Sequence, residues 1–246
     1  MTITAAGIGR YAAMAGSVGS VGCPKPASGL ADLELGREIH RSASGAVNIA
    51  VDVRTGVTVV LKRKDTAELG GKKEIENEAQ LLQKLNHPNV AKCLSAFSER
   101  GSFFLVIEHA DLGDLGQLLD HRRQSRRFLA EGEVWGIFTQ VCAGVAAIHQ
   151  QRIIHRDLKP RNILLFSSDS GARLGLRRVT AKIADLGVSR QLGDTTLMAS
   201  TFYGTPLYIS PELCRNQPYS EKTDVWSLGV ILYELAGLCP PFMGIR

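Results

Sequence analysis

The 246-residue sequence predicts a two-lobed α+β fold, in which a small β-rich lobe precedes a larger helical lobe. Between residues 33 and 108, short runs rich in β-branched residues alternate with turn signals, a pattern typical of strands. Beyond Gly113, apolar residues recur at helical spacing. We therefore expect an amino-terminal lobe over residues 33–108 and a carboxy-terminal lobe over residues 109–246, with a ligand site in the crevice between them.

The first 32 residues form a separate segment, rich in Gly, Ala and Ser and without an acidic residue before Asp32. Such a composition buries too little apolar surface to fold, so we predict a disordered tail over residues 1–32. A transit peptide would share the lack of acidic residues. Those segments are rich in arginine, however, and Arg10 is the only arginine here.

The elements of the first lobe are inferred from changes in periodicity. Residues 46–51 and 57–61 are two β-branched runs around a short Thr-Gly turn, which predicts a hairpin. Residues 74–85 have apolar positions at helical spacing, and the Asn-His-Pro-Asn sequence at 86–89 ends that helix. Residues 103–107 predict a short buried strand.

The second lobe begins with a helix whose apolar positions form one face: Val134, Phe138, Val141, Val145 and Ile148. The most apolar stretch, residues 225–239, is interrupted by Glu234 and is too short to span a bilayer, so it predicts a buried helix. We therefore expect no association with a membrane.

Charge and cysteine content exclude several classes of protein. The formal net charge is +5, but Lys and Arg are scattered, and the one dense basic run, residues 122–127, is short. A solvated basic face explains that run better than nucleic-acid binding does. Five cysteines without metal-ligand spacing favour free thiols in a reducing compartment. The expected location is cytoplasmic, with association with the cytoskeleton or the nucleus as alternatives.

Residues 155–162 read His-Arg-Asp-Leu-Lys-Pro-Arg-Asn and match every fixed position of the kinase catalytic loop. The sequence thus resembles the protein kinases, and the resemblance implies phosphoryl transfer from ATP. Asp157 would accept the proton of the substrate hydroxyl, Asn162 would hold Mg²⁺, and Lys159 would offset the charge of the transferred phosphate. A lysine at position 159 resembles the serine/threonine branch rather than the tyrosine branch. The alternative is an ordinary charged loop, which would not explain why every fixed position of the motif is matched.

Two further motifs stand in the family order around this loop. Residues 184–187 read Ala-Asp-Leu-Gly and resemble the D-F-G element, with leucine in place of phenylalanine; Asp185 would be the main Mg²⁺ ligand. Residues 59–62 read Val-Val-Leu-Lys and resemble V-A-I-K. The resemblance implies that Lys62 contacts the α- and β-phosphates and pairs with Glu78 of the next helix. Each residue alone would be a common surface feature.

The phosphate-covering loop departs from the family pattern G-x-G-x-x-G-x-V. Gly45 and Val47 match its end, but without gaps the first two glycines fall on His40 and Ser42. An alignment that starts at Gly36 requires an insertion, and the middle glycine is missing in both alignments. Glycines allow backbone N–H groups to approach phosphates, so we expect looser binding of ATP.

The resemblance also implies the remaining nucleotide contacts. The apolar side chains of Val47, Val60 and Leu164 would enclose the adenine. Backbone groups of Glu108 and Ala110 would bond to its edge, and the carboxylate of Asp114 would lie near the ribose.

Downstream motifs narrow the resemblance. Residues 204–212 resemble the substrate-docking loop that ends in A-P-E, and residues 224–229 resemble the helix that anchors the catalytic loop. The amino-acid sequences of these two segments are similar to those of the NIMA-related kinases. The resemblance implies phosphorylation of Thr201, by an upstream kinase or by the enzyme itself, with the phosphate pairing to Arg156. A flexible polar loop is the equally open alternative.

Two functions remain open for the chain. Lys62, Asp157, Asn162 and Asp185 favour a serine/threonine protein kinase that acts on hydroxyls of protein substrates. Kinases of this type continue through further helices, so we expect a kinase domain over residues 33–246 that is truncated at its carboxy terminus and poorly stable. This ending and the missing glycines favour the alternative, a pseudokinase or decoy that binds partners without turnover.

Overall fold

The computed structural model describes residues 26–42, 45–65, 79, 82–83, 85–168, 179–186, 190–191 and 206–242. An antiparallel sheet comes first and helices dominate the rest of the chain, so the predicted two-lobed α+β architecture is confirmed. The predicted helix over residues 74–85 lies mostly outside the described residues, although Ala79 and residues 82–83 are helical.

Five strands form the sheet of the amino-terminal lobe: β1 (Leu33–Ser42), β2 (Gly45–Asp52), β3 (Thr58–Asp65), β4 (Cys93–Glu99) and β5 (Ser102–Glu108). Their order across the sheet is β1-β2-β3-β5-β4, and every neighbouring pair is antiparallel. β2 and β3 form the predicted hairpin, which is paired from Gly45↔Lys64 to Val51↔Thr58. The buried strand predicted at residues 103–107 is β5.

Residues just before β1 pack on this sheet. Ala27 is buried with Leu33 and the apolar face of the sheet, and its carbonyl accepts a hydrogen bond from Ser95 Oγ. Leu30 begins a 3₁₀ turn (Leu30–Asp32), and its N–H donates to Glu99 Oε2 at 2.8 Å. The prediction of a tail over residues 1–32 therefore does not describe residues 26–32, while residues 1–25 lie outside the described residues.

The carboxy-terminal lobe contains short strands between its helices. The helices are α1 (Leu115–Gln124), α2 (Glu131–Gln150), α3 (Pro211–Cys214) and α4 (Lys222–Gly237). The strands are β6 (Ile153–Ile154), β7 (Ile163–Ser167), β8 (Val179–Ile183) and β9 (Arg190–Gln191). β6 pairs with β9, and β7 pairs with β8.

Helix α2 lies at the centre of the second core. The face predicted from its apolar spacing is confirmed: Val134, Val141, Val145 and Ile148 are buried, and Phe138 is partly buried against them. Glu133 accepts a hydrogen bond from the backbone N–H of Ala130 at 2.8 Å, which satisfies one donor at the start of the helix.

The stretch predicted as a buried helix is α4. Glu234 is only 3% exposed there, and it bonds to Arg123 of α1 and to the hydroxyl of Tyr208, the latter at 2.5 Å. Burial and this hydrogen bond both raise the pKa of Tyr208. The carboxylate thus joins α1, α4 and the turn before α3. Among the described residues, no helix combines the length and the apolar character that crossing a membrane requires.

Helix α2 approaches the loop before β4 at a glycine. A Cβ atom added at Gly144 would lie 2.4 Å from the carbonyl oxygen of Asn89 and 2.9 Å from Ile183 Cδ1. The loop cannot move away freely, because Asn89 Nδ2 bonds to Ala181 O at 2.9 Å and Ile183 N donates to Asn89 O at 2.9 Å.

Gly144→Ala is therefore expected to lower the free energy of unfolding by about 1–3 kcal/mol, through overpacking. Gly136→Ala is the matched control on the same helix, because an added Cβ there meets nothing within 4 Å. It is expected to raise stability by up to about 1 kcal/mol, since alanine is the better helix former. Urea denaturation of both variants measures the two changes in the free energy of unfolding. Changes of the same sign in the two variants would contradict the packing described.

Candidate active site

The loop at residues 155–162 is held at both ends by strands. β6 leads into it and β7 leaves it, and each pairs with a strand from the next part of the chain. Within it, Pro160 begins a 3₁₀ turn that ends at Asn162, and Asn162 N donates to Lys159 O at 2.9 Å. These constraints give the loop a defined shape.

A buried carboxylate on α4 fixes the backbone of this loop. Asp224 is fully buried and accepts hydrogen bonds from His155 N at 2.9 Å, Arg156 N at 2.9 Å and His149 Nε2 at 2.8 Å. Arg156 has a positive φ of 70°, which the paired N–H groups help to maintain. The prediction that residues 224–229 anchor the catalytic loop is thus confirmed.

The three residues of this loop predicted to act on the substrate or to hold Mg²⁺ lie together. Asp157 Oδ2 accepts from Lys159 Nζ at 2.7 Å and from Asn162 Nδ2 at 3.0 Å. Asn162 Nδ2 also donates to the Asp157 carbonyl at 2.7 Å. The amide nitrogen of Asn162 is therefore committed to Asp157, and its carbonyl oxygen Oδ1 is the atom suited to a cation.

Lys62 and Asp185 bring the two lobes into contact. Lys62 Nζ lies 2.5 Å from Asp185 Oδ1, across 123 residues of chain. Burial alone would raise the pKa of Asp185, but the Lys62 ammonium outweighs it, with His155 and Lys64 nearby, and lowers the pKa to about 2. The carboxylate is therefore ionised at neutral pH, as a metal ligand must be. Its contribution to stability is complete above its ordinary value of 3.8 and is lost as the pH falls through about 2.

The residues around Asp185 link it to the catalytic loop. Ala184 N donates to Asn162 O at 2.9 Å, and Ala184 O contacts His155 Nε2 at 3.0 Å. Leu186 is 2% exposed and packs in the core of the second lobe. The leucine of the Asp-Leu-Gly sequence therefore supplies the apolar packing expected of it.

The donors present fit a hard divalent cation. Asp185 offers an ionised carboxylate, Asn162 offers an amide oxygen, and the Ala184–Asn162 hydrogen bond holds their backbones together. Within the part of the chain that the structure describes, no group of three or more His, Cys, Asp or Glu residues could hold a metal. A site with few protein ligands suits an ion that keeps its waters and also binds substrate phosphates.

The predicted adenine contacts lie on one face of the sheet or at its end. Val47 is opposite Lys62, and Val60 is opposite Ile107, so these four side chains share a face. Leu164 of β7 forms a bridge with Asp114, so these two predicted contacts lie beside each other.

The segment after β5 presents its backbone at this edge. Glu108 N donates to Lys92 O at 3.2 Å, so the carbonyl of Glu108 is the group suited to adenine. Its side chain binds Lys182 Nζ at 2.6 Å and accepts from Lys92 N at 2.7 Å. Ala110 O accepts from Gly113 N at 3.3 Å in the next turn. Sequence analysis missed Lys182, because its partner lies 74 residues away.

Asp114 has a structural role beside its predicted role near the ribose. It begins α1 as the N-cap, accepting from Gln117 N at 2.9 Å. Arg161 of the catalytic loop reaches it at 3.4 Å and also binds Asp120 at 2.5 Å. Sequence analysis missed Arg161, since it occupies a variable position of the loop motif.

Gly45 is required by the packing of the hairpin. A Cβ atom there would lie 2.0 Å from the carbonyl oxygen of Arg63 on β3. β1 and β2 are paired as far as Ser42↔Gly45, with irregularities in register between Leu35 and Glu38 and between Glu38 and His40. Bulges thus absorb extra residues in β1.

Three predicted features cannot be placed. Glu78, Thr201 and the segment 187–189 lie outside the described residues. The described carboxylate paired with Lys62 is that of Asp185. The guanidinium of Arg156, predicted to bind a phosphate on Thr201, lies 5.4 Å from the centre of the Tyr219 ring.

Comparisons with known proteins agree with this geometry. The family described as "Protein kinase domain" matches residues 33–246. The chain is 40% identical over 191 residues to the probable serine/threonine-protein kinase nek1 of Dictyostelium discoideum, covering 74% of this chain and 39% of that protein. It is 39% identical over 204 residues to serine/threonine-protein kinase Nek5 of Mus musculus, covering 83% and 30%. Serine/threonine-protein kinase nekl-2 of Caenorhabditis elegans is 37% identical over 193 residues, covering 76% and 51%. The chain therefore spans about a third to a half of the length of these relatives.

Proposed function

Because this chain belongs to the protein kinase family, we propose that it transfers the γ-phosphate of ATP to serine and threonine hydroxyls of protein substrates. The observation that carries the proposal is the contact between Lys62 and Asp185. The residue before Asp185, Ala184, donates a backbone hydrogen bond to Asn162 of the catalytic loop. These two contacts connect Lys62 and Asp185, which are suited to bind phosphates and metal, to the loop in which Asp157 is suited to accept the proton of a hydroxyl.

Each residue has a role that its contacts support. Asp157 accepts the proton of the attacking hydroxyl, and Lys159, 2.7 Å from Asp157 Oδ2, is placed to offset the charge of the phosphate. Lys62 binds the α- and β-phosphates. Val47, Val60 and Leu164 contact the adenine, backbone groups of Glu108 and Ala110 bond its edge, and Asp114 lies near the ribose.

Protein kinases as a family use ATP and a divalent metal, and we propose Mg²⁺ for this chain. Asn162 and Asp185 would hold it through hard oxygen atoms. When bound, such an ion neutralises charge on the β- and γ-phosphates. The chain's own part is to keep Asp185 ionised and to orient Asn162, which its bonds to Asp157 do.

The similarity to NIMA-related kinases and the position of Lys159 support serine and threonine as acceptors. We also propose regulation by phosphorylation of Thr201 and a cytoplasmic location. Among the described residues, Cys93, Cys142, Cys214 and Cys239 are not joined by disulfides, which is compatible with a reducing compartment.

The proposal is tested with the purified chain, γ-labelled ATP, Mg²⁺ and three peptides that differ only in carrying Ser, Thr or Tyr. We expect transfer to the Ser and Thr peptides and none to the Tyr peptide, with loss of transfer when Mg²⁺ is chelated. Binding of ATP without transfer to any peptide would instead support the decoy function.

Lys62→Met is expected to reduce kcat/KM for ATP about 100-fold, because it removes a preorganised charge from the phosphates and leaves Asp185 without its partner. Lys92→Met is the matched control, since the Lys92 side chain is exposed and its backbone N–H, which the variant retains, bonds to Glu108. Steady-state kinetics with varied ATP measure both variants. Equal activity of Lys62→Met and the unaltered chain would exclude the predicted role of Lys62.

A further inference from the structure

β1 carries a polar side chain on the cleft face of the sheet that the proposed function has not used. His40 is the partner of Val47 on β2, and Val47 is the partner of Lys62 on β3. Directly opposed residues in a sheet project to the same face, so these three side chains form one row. The row lies on the face from which Lys62 reaches Asp185.

An irregularity in the strand places His40 there. In a regular strand, residues two apart share a face, so Glu38 and His40 would project together. The register shifts between them, and Glu38 is opposite Asn48 whereas His40 is opposite Val47. Glu38 and His40 therefore lie on opposite faces, and bulges that redirect a side chain in this way are frequent beside active sites.

The neighbouring charges of β1 belong to the other face. Arg41 is opposite Ala46, and Arg41 Nε donates to Glu38 Oε1 at 2.9 Å. This ion pair occupies both residues on the face away from Lys62. On the cleft face, His40 is exposed.

The distance between His40 and Lys62 suits a ligand that Lys62 also binds. Neighbouring strands are about 4.8 Å apart, so two strand spacings place these backbones about 10 Å from each other. Side chains that project from both positions into the cleft can contact the same phosphate chain. An imidazole carries at least one N–H donor in either protonation state.

We propose that His40 donates a hydrogen bond to the phosphates of the bound nucleotide, in place of backbone N–H groups that the family's middle glycine would allow to approach. The proposal rests on the proposed function, because it requires that the cleft binds ATP. It accounts for a strand that lacks the middle glycine of the family pattern and is bulged so that a histidine faces the cleft.

The test measures binding of ATP and of adenosine to the purified chain by calorimetry. His40→Ala is expected to weaken ATP binding about 10-fold, the loss of one hydrogen bond to a charged group at an exposed site. Binding of adenosine, which has no phosphate, is expected to stay unchanged. His40→Gln keeps an N–H donor and is expected to bind ATP within about 3-fold of the unaltered chain.

Arg41→Ala is the matched control, because it removes an exposed polar side chain from the other face of the same strand. It is expected to leave both affinities unchanged. Thermal melting of each variant checks that the fold is retained.

Equal weakening of ATP and adenosine by His40→Ala would indicate a structural role and overturn the proposal. Unchanged ATP binding would overturn it as well. If the unaltered, folded chain binds neither ligand, the proposed function fails and this proposal fails with it. If that chain binds both and His40→Ala does not differ from it, the proposal on His40 fails alone.

Discussion

Asp157→Asn is expected to reduce the rate of phosphate transfer about 1,000-fold, within the range for loss of a general base. The asparagine oxygen can still accept from Lys159 Nζ, and the side chain has the same shape, so the loop is expected to keep its structure. Asn162 loses only part of its contact, because its Nδ2 also bonds to the Asp157 carbonyl. The variant therefore removes proton acceptance and little else.

The measurement is single-turnover transfer from labelled ATP to a Ser peptide, together with the affinity for ATP. Affinity is expected to stay within about 3-fold, because the role proposed for Asp157 involves the hydroxyl and not the nucleotide. Asp111→Asn is the matched control, since Asp111 is exposed and accepts from Ser167 N outside the catalytic loop. Loss of transfer in both variants, or in neither, would contradict the role of Asp157.

Asp224→Ala is expected to lower the free energy of unfolding by about 3–5 kcal/mol. The substitution leaves His155 N and Arg156 N, both held at 2.9 Å by the buried carboxylate, without an acceptor. His149 Nε2 loses its partner as well. Because Arg156 is held at a positive φ, release of its N–H is expected to let the loop relax and to reduce activity further.

Urea denaturation measures this loss against two other variants. Asp224→Asn keeps one oxygen acceptor and is expected to lose about half as much stability. Val225→Ala, at the next residue of α4 and 50% exposed, is expected to change stability by at most about 0.5 kcal/mol. Similar effects at positions 224 and 225 would exclude a specific anchoring role for the carboxylate.

The fold class and the central residues of the site could be predicted because their patterns are local. The periodicity of α2 depends on residues within one helix, and the spacing from Asp157 to Asn162 depends on one loop. Phosphoryl transfer also requires particular residue types in a fixed order. The structure adds the hydrogen bonds that bring these residues together.

Contacts between distant parts of the chain could not be predicted. The predicted partner of Lys62, Glu78, lies outside the described residues. Lys62 contacts Asp185, 123 residues further along the chain, and sequence order does not state such a contact. The Glu108–Lys182 pair is missed for the same reason.

Two further features could not be predicted from composition or from motif alignment. The composition of residues 1–32 predicts a tail, yet Ala27 and Leu30 are small enough and apolar enough to pack against the sheet. In β1, the motif alignment showed that glycines were missing but could not show the bulge, because register depends on pairing with β2.

The most direct test of the central claim, that the cleft around Lys62, Asp157, Asn162 and Asp185 transfers phosphate, is a comparison of the unaltered chain with Asp185→Asn. Each is mixed with γ-labelled ATP, Mg²⁺ and a Ser peptide, and labelled peptide is counted over time. We expect steady transfer by the unaltered chain and at least about a 100-fold lower rate for the variant, which loses the ionised ligand. Transfer at the same rate by both, or none by a folded, ATP-binding unaltered chain, would contradict the claim.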